Sequence, residues 1–296
     1  MTHKVTNKKP TVSVLIPVFN AGNFLVPAVE SILNQSFKNL EIIAIDDGST
    51  DNSFAILKTL AKKDKRLRVY QNKKNLNIAN TLNRAIKLAK GKYLARMDAD
   101  DIASKDRLRL QVDYLKSHPN TVIVGGQCQT ISIEGKVMGH KNFPLTDKKI
   151  KQSLFEFNPI QHPTIVINRK LIPVNFKFYD PTLPPAEDLD MYFRLAKYGK
   201  FANLKQYVLK YRQYLGSETF KNPVKTFGVT LKVRKNAVNE YGYKPMFRSK
   251  IINLIQRAVI KLIPDFLIYP LYAISRGMES PLQPLQNHLM LNLNRA

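Results

Sequence analysis

The chain has 296 residues, with 47 Lys and Arg against 22 Asp and Glu for a formal net charge of +25, and 44% hydrophobic and 23% charged residues. That balance excludes a disordered or collagen-like chain, and the length is enough for one large domain or two small ones to bury a core. A single cysteine, Cys128, excludes an intramolecular disulfide and a cysteine-based zinc cage, so no oxidising compartment is required and a cytoplasmic location is expected.

Residues 1–10 read as a flexible polar tail; the apolar run that follows is short, broken by Pro17 and without a small-residue cleavage site, which argues against a signal peptide. VSVLIPV at 12–18 predicts a strand buried on both faces. After it Asn23 is placed to cap a helix in which Leu25, Ala28, Val29, Ile32 and Leu33 recur at helical spacing. LEIIAI at 40–45 predicts a second buried strand that ends in Asp46, Asp47, Gly48 and Ser49. A helix over 52–62, a strand over 68–71, a helix over 78–89 and a strand over 92–97 continue the alternation. Repeated β-α-β units of this kind make a parallel sheet covered by helices, and ligands bind such sheets beyond the carboxyl ends of the strands, where the acidic clusters fall.

Further on, a helix is predicted over 107–116, strands over 121–126 and 129–133, and a hairpin turn at Glu134-Gly135. The stretch 141–185, rich in Pro, Asn and Phe, has no assignable period. A helix starts near Glu187 and stops at Gly199. Residues 251–274 are strongly apolar but interrupted by Arg257, Lys261, Pro264, Asp265 and Pro270, which argues against a membrane-spanning helix. Two readings remain: a segment lying in the interface of an anionic membrane, or a helix hairpin packed on the preceding domain. The residues after Ala196 hold 17 basic and four acidic side chains, a surface that favours a polyanion such as nucleic acid, anionic lipid or a sugar nucleotide.

The sharpest feature is Asp98-Ala99-Asp100-Asp101, directly after the strand KYLARM. Three carboxylates in four residues repel one another unless a divalent cation or hydrogen-bond donors sit among them. An Asp-x-Asp pair leaving a strand aims both side chains to one side, supplying oxygen ligands to Mg²⁺ or Mn²⁺ while phosphates supply others.

About 210 of the 296 residues resemble the inverting family 2 glycosyltransferases of the GT-A fold. The likeness is carried by TVSVLIPVFNAGNFLVPAVESILNQSFKNLEIIAIDDGSTDNS, by GKYLARMDADDIASKDRLRLQ and by AEDLDMYFRLAKYG, in that order. It implies an α/β nucleotide-diphospho-sugar transferase fold with a mostly parallel sheet over 11–220, a nucleotide-sugar donor, Mn²⁺ or Mg²⁺, and inversion at the anomeric carbon. Residues 221–296 then form a basic, apolar helical extension, possible membrane contact included.

The resemblance also implies roles. Pro17 and Phe19 line the base and ribose. Asp46 or Asp47 accepts the imide N–H of uracil, which favours a uridine diphosphate donor; the alternative for both is capping the next helix, a task Ser49 or Asp51 also fits. Asp98 contacts ribose or metal, Asp100 is the direct metal ligand, and Asp101 reads as an N-cap. Arg107 either approaches the phosphates or makes a surface salt bridge. Asp188, after Glu187, matches the catalytic base that takes the proton of the acceptor hydroxyl. Three departures stand out. Asn75-Leu76-Asn77 replaces the usual Asn-x-Gly, although Asn tolerates a left-handed backbone. KYRQYLGS lacks the His that many relatives carry after the base helix, which removes a candidate third metal ligand and leaves Arg212 and nearby lysines to balance the diphosphate. His162, in IQHPT, falls on the acceptor side or is structural.

The function expected is transfer of a hexose or amino-sugar to a glycan acceptor, lipid-linked as in capsule or lipopolysaccharide assembly, by an enzyme peripheral on the inner face of the cell membrane. Alternatives are a protein or polyol-phosphate polymer as acceptor, or a nucleic-acid binder. Against the last, basic residues are not interleaved with aromatics and carboxylates cluster at the ligand edge.

Overall fold

The computed structural model describes residues 9–213, 223–264 and 267–268. Most of the tail 1–10 and most of the apolar run beyond 264 lie outside the described residues.

The two most apolar runs become the centre of the sheet. β1 (Val12–Val18) and β2 (Leu40–Asp46) are buried along nearly their whole length and pair in parallel, with Val18 opposite Asp46. β3 (Leu67–Gln71) and β4 (Tyr93–Arg96) flank them, also in parallel. The sheet continues through β8 (Val166–Asn168), β6 (Thr121–Ile131), β9 (Lys200–Arg212) and β5 (Ile102–Ala103), in the order β3-β2-β1-β4-β8-β6-β9-β5, with β7 (Val137–Lys141) paired to β6. On one face α1 (Leu25–Leu33), α2 (Ser53–Lys63) and α4 (Arg107–Ser117) cover a core that includes Val14, Ile16, Ile42 and Val124. On the other, α3 (Ile78–Leu88), α6 (Glu187–Leu195) and α7 (Pro223–Asn239) cover Leu15, Ile43, Leu94 and Ile167.

Three expectations change. Asn23 caps nothing: a 3-10 turn, Gly22–Phe24, precedes α1, and the N–H groups of Ala21 and Gly22 reach the side chains of Ser53 and Asp51 instead. The strands at 121–126 and 129–133 are one strand, because Gly125-Gly126 is no break. A Cβ on Gly125 would stand 2.3 Å from Asn203 Oδ1 and one on Gly126 2.6 Å from Val208, so the glycines let β9 lie against β6. The hairpin at Glu134-Gly135 forms as predicted, with Gly135 at φ +89°. Arg107 is neither a phosphate contact nor a surface ion: it is fully buried and donates to the Arg96 carbonyl (2.7 Å) and to Gln111.

The unassigned stretch 141–185 holds α5 (Asp147–Ser153), two 3-10 turns and the three-residue β8, all too short to show a period. β9 escaped notice because its exposed Lys205, Gln206 and Tyr207 interrupt the alternation. After residue 222 the chain returns: α7 buries Val233 and Ala237, Tyr241 Oη donates to Asp190 and Tyr243 Oη to the Lys151 carbonyl. α8 (Phe247–Leu262) follows, tied by Ser249 Oγ to Glu156. Among the described residues no helix is long and apolar enough to cross a membrane.

Glu41 locks β2 to its neighbours: Oε1 accepts from Ser13 Oγ and the Lys90 N–H at 2.7 Å each, and Oε2 pairs with Arg68 at 2.6 Å. Glu41→Ala removes the acceptor of the buried Ser13 hydroxyl and of two part-buried donors, so urea unfolding should show a loss of about 2 kcal/mol.

Candidate active site

The parallel pairing brings the loops after β1 and β2 side by side. Asn20, at φ +49°, joins them: its N–H donates to Ser49 Oγ and its Oδ1 accepts from the Thr50 N–H at 2.8 Å. The two aspartates that end β2 have different partners. Asp47 Oδ1 accepts from Asn72 Nδ2 (2.6 Å) and the Leu76 N–H (2.9 Å), so this side chain holds the 72–76 loop. Asp46 Oδ1 accepts from the Ser49 N–H and Gln71 Nε2, while Asp46 Oδ2 is buried without a hydrogen-bond partner among the described residues. Neither caps α2, since Asp51 Oδ1 takes the Ser53 N–H. Asn77 adopts φ +73° and its side chain accepts the Asn80 N–H, so the Asn-Leu-Asn turn survives without glycine. Pro17 is half-buried at the end of β1 and Phe19 exposes about half its surface beside these loops.

Beyond β4, Asp98, Asp100 and Asp101 each offer a carboxylate oxygen, all within 4.8 Å of one another. That is an all-oxygen donor set of the kind hard divalent cations take, and the buried Asp101 Oδ2 has no hydrogen-bond partner among the described residues. Asp101 is not an N-cap: it is buried, and its Oδ1 accepts the Arg212 N–H from β9 at 2.8 Å. Burial, with Asp98 and Asp100 alongside, pushes its carboxyl well above the usual range. Arg212 lies over the Phe24 ring and donates through Nε to the Asp100 carbonyl (2.8 Å) and through Nη1 to Ser132 and Ile133 carbonyls. It stitches the acidic loop to β9 and the β6–β7 hairpin.

Arg96 was missed by sequence reading. This last residue of β4 is almost wholly buried, pairs with Asp98, and leaves Nε and Nη1 without partners among the described residues. The signal was present: an arginine inside the apolar strand YLAR must find carboxylates, and the next acidic residue is two positions away.

α6 begins with Glu187 and Asp188, in the first turn where the helix dipole favours negative charge. Asp188 is half-buried; Oδ2 accepts from Asn158 Nδ2 at 2.5 Å and Oδ1 from the Leu189 N–H at 2.6 Å. Burial raises its carboxyl pKa. Glu187 is buried, and burial with Asp188 beside it pushes its pKa up to about 8. The Arg96 charge acts on both. His162 is buried with Nε2 2.9 Å from Tyr179 Oη, and burial keeps its pKa well below the usual value, so it stands as a neutral partner of Tyr179. Asn158, the orienter of Asp188, lies in the stretch where no pattern could be assigned.

The sheet is mixed, with β1 to β4 parallel and β8 antiparallel to β4 and β6, and its parallel strands end in this row of carboxylates. Residues 13–172 match the sequence model described as glycosyl transferase family 2. An uncharacterized glycosyltransferase of Haemophilus influenzae is 30% identical over 254 residues, covering 83% of this chain and 79% of that protein. The chain spans about two fifths of the length of the Rickettsia felis and Rickettsia conorii glycosyltransferases it matches. Among solved structures, S. aureus TarS 1-349 in complex with UDP-GlcNAc aligns with TM-score 0.61 at 17% identity, over 89% of this chain and 86% of that one. The mannosyltransferase PcManGT from Pyrobaculum calidifontis, in complex with GDP-Man and Mn²⁺, aligns with TM-score 0.55 at 14% identity, over 87% of this chain and 82% of that one. The chain belongs to glycosyl transferase family 2 and has the GT-A fold.

Glu187 supplies a pH test. Its folded pKa, about 8, lies above the unfolded 4.5, so the native state holds the proton over that window while the unfolded state has lost it. Its contribution is full below pH 4.5 and declines as pH rises to 8. Glu187→Gln should match the wild type near pH 4.5 and unfold at progressively higher temperature than it does as pH is raised towards 8.

Proposed function

We propose that this chain is a metal-dependent, inverting transferase that moves a sugar from a uridine diphosphate donor to a hydroxyl of a lipid-linked glycan, with residues 11–220 as the catalytic domain and 221–296 as an extension. The observation that carries the reading is the row of acidic groups along one sheet edge: a spare oxygen on Asp46, three convergent carboxylates at 98–101, and Asp188 at the start of α6.

Each group has a task that its surroundings support. Uracil presents one imide N–H between two carbonyls, which suits the single spare oxygen of Asp46 better than guanine, whose edge offers adjacent donors. Pro17 and Phe19 flank that position. Asp98 and Asp100, with Asp101 beside them, would hold Mn²⁺ or Mg²⁺, which when bound neutralises charge on the departing diphosphate. Arg212 contributes positive charge next to Asp100. Asp188 takes the proton from the acceptor hydroxyl; Asn158 and the Leu189 N–H fix its orientation, and its raised pKa makes it a better base near neutral pH. With one base and no enzyme nucleophile, a single displacement inverts the anomeric carbon. Glu187, next to Asp188, is assigned to the acceptor side, while His162, buried against Tyr179, has a structural place. The basic residues after Ala196 support an acceptor carried on an anionic membrane face, in cell-surface polysaccharide or lipopolysaccharide assembly, rather than a protein or polyol-phosphate polymer.

Asp188→Asn should lower transfer by about 10³-fold or more while donor affinity stays within about threefold, as read by turnover and by donor binding. Full activity in that variant removes the base role. UDP-sugars should raise the melting midpoint in Mn²⁺ and not in EDTA, and chelation should stop turnover. A larger shift with GDP-sugars would overturn the uridine reading.

A further inference from the structure

α8 is folded onto the protein the wrong way round for a helix that faces water. Its inward face is polar: Ser249 and Asn253 are buried, Ser249 bonds to Glu156 Oε1, and Gln256 bonds to the Glu156 carbonyl and to Arg234. Its outward face carries Phe247, Ile251, Leu254, Ile255 and Leu262, spaced as one helical stripe, with Leu254 68% and Phe247 79% exposed. A surface helix normally buries its apolar stripe and shows its polar one. Beside the stripe, α7 and α8 enclose a cleft of about 410 Å³ with aliphatic walls, Leu231 and Ile260, and three cations, Lys232, Lys235 and Arg257.

We propose that the outer face of α8 and the α7–α8 cleft form a docking surface for an anionic lipid bilayer, the stripe entering the acyl boundary and the cleft taking a phosphate headgroup. Charge selects this occupant. Residues 223–262 contain nine Lys and Arg against one Glu, so a second copy of the chain would bring like charge against like. Residues 265–296 carry two basic and two acidic side chains and bring no net negative charge to match the cleft. An apolar stripe rimmed by Lys and Arg is the pattern of a helix lying in the membrane plane. The surface is joined to the base helix, because Tyr241 on the α7–α8 connection donates to Asp190 and Tyr243 meets Phe193 edge to face, both in α6. Docking would therefore present the Asp188 end of the site to an acceptor held in the same membrane. The inference rests on the lipid-linked reading of the acceptor for its purpose, and on the α8 geometry for its content.

Co-sedimentation of the full chain with large vesicles tests it. At 0.15 M salt the wild type should bind phosphatidylcholine vesicles containing 30% phosphatidylglycerol at least about tenfold more tightly than phosphatidylcholine alone, and 1 M salt should weaken that binding. L254E/I255E and K232E/K235E, all at exposed positions, should each lower binding by about tenfold or more, with the UDP-sugar thermal shift unchanged. Wild type that ignores anionic vesicles, or either variant binding them as well as wild type, overturns the proposal. So does a dimer that L254E/I255E dissolves while vesicles stay unbound. If L254E/I255E melts early, K232E/K235E carries the test alone. A failed donor shift with intact vesicle binding would count against the proposed chemistry and leave the docking surface standing.

Discussion

One buried arginine organises the acidic edge of this protein. Arg96 sits at the carboxyl end of β4 with almost no exposure, ion-paired to Asp98 and within electrostatic reach of Asp101, Glu187 and Asp188. Four carboxylic acids gathered this closely, three of them largely shielded from water, repel one another by several kcal/mol without a compensating charge. Arg96 offsets part of that repulsion through its pairing with Asp98, and the convergent oxygens of Asp98, Asp100 and Asp101 form an all-oxygen set of the kind a divalent cation takes. The loop after β4, the start of α6 and the end of β9 are placed by the same requirement. Arg212 ties β9 to the acidic loop through the Asp101 carboxylate and the Asp100 carbonyl.

The other side chains of α6 meet a different demand. Asp190 receives Tyr241 and pairs with Arg194, and Phe193 packs on Tyr243, so the helix that holds Asp188 is also the helix on which α7 and its connection rest. α7 and the connection after it are thus built into the same body as the start of α6. Lys232, Lys235 and Arg257 are exposed on α7 and α8, whereas acidic groups gather at the strand ends. A chain of net charge +25 thus keeps a carboxylate-lined row of strand ends.

Much of this was legible from residue order alone. VSVLIPV and LEIIAI could only be strands buried on both faces, and their parallel pairing follows from the helical pattern between them. The aspartates at 46, 47, 98, 100 and 188 stand at strand ends or at a helix start, where sequence punctuation is strongest. What escaped was of two kinds. Short elements, such as β5 and β8, have too few residues to show a period, and Asn158 lies between such pieces. Roles set by a partner far along the chain also escaped: Asp47 holding Asn72, Asp101 receiving Arg212, Arg107 bonding to the Arg96 carbonyl.

By itself, then, the sequence determined the β-α-β frame, the family and the candidate carboxylates, because local hydrophobic period and motif order carry that information within a few residues. Only the tertiary structure decided which carboxylate oxygens remain without a protein partner, that Arg107 is a core residue, and that α8 turns its apolar face outward. Each of those depends on what comes to lie opposite a side chain from a distant segment, and hydrogen-bond partnership and burial are properties of that juxtaposition rather than of the residue.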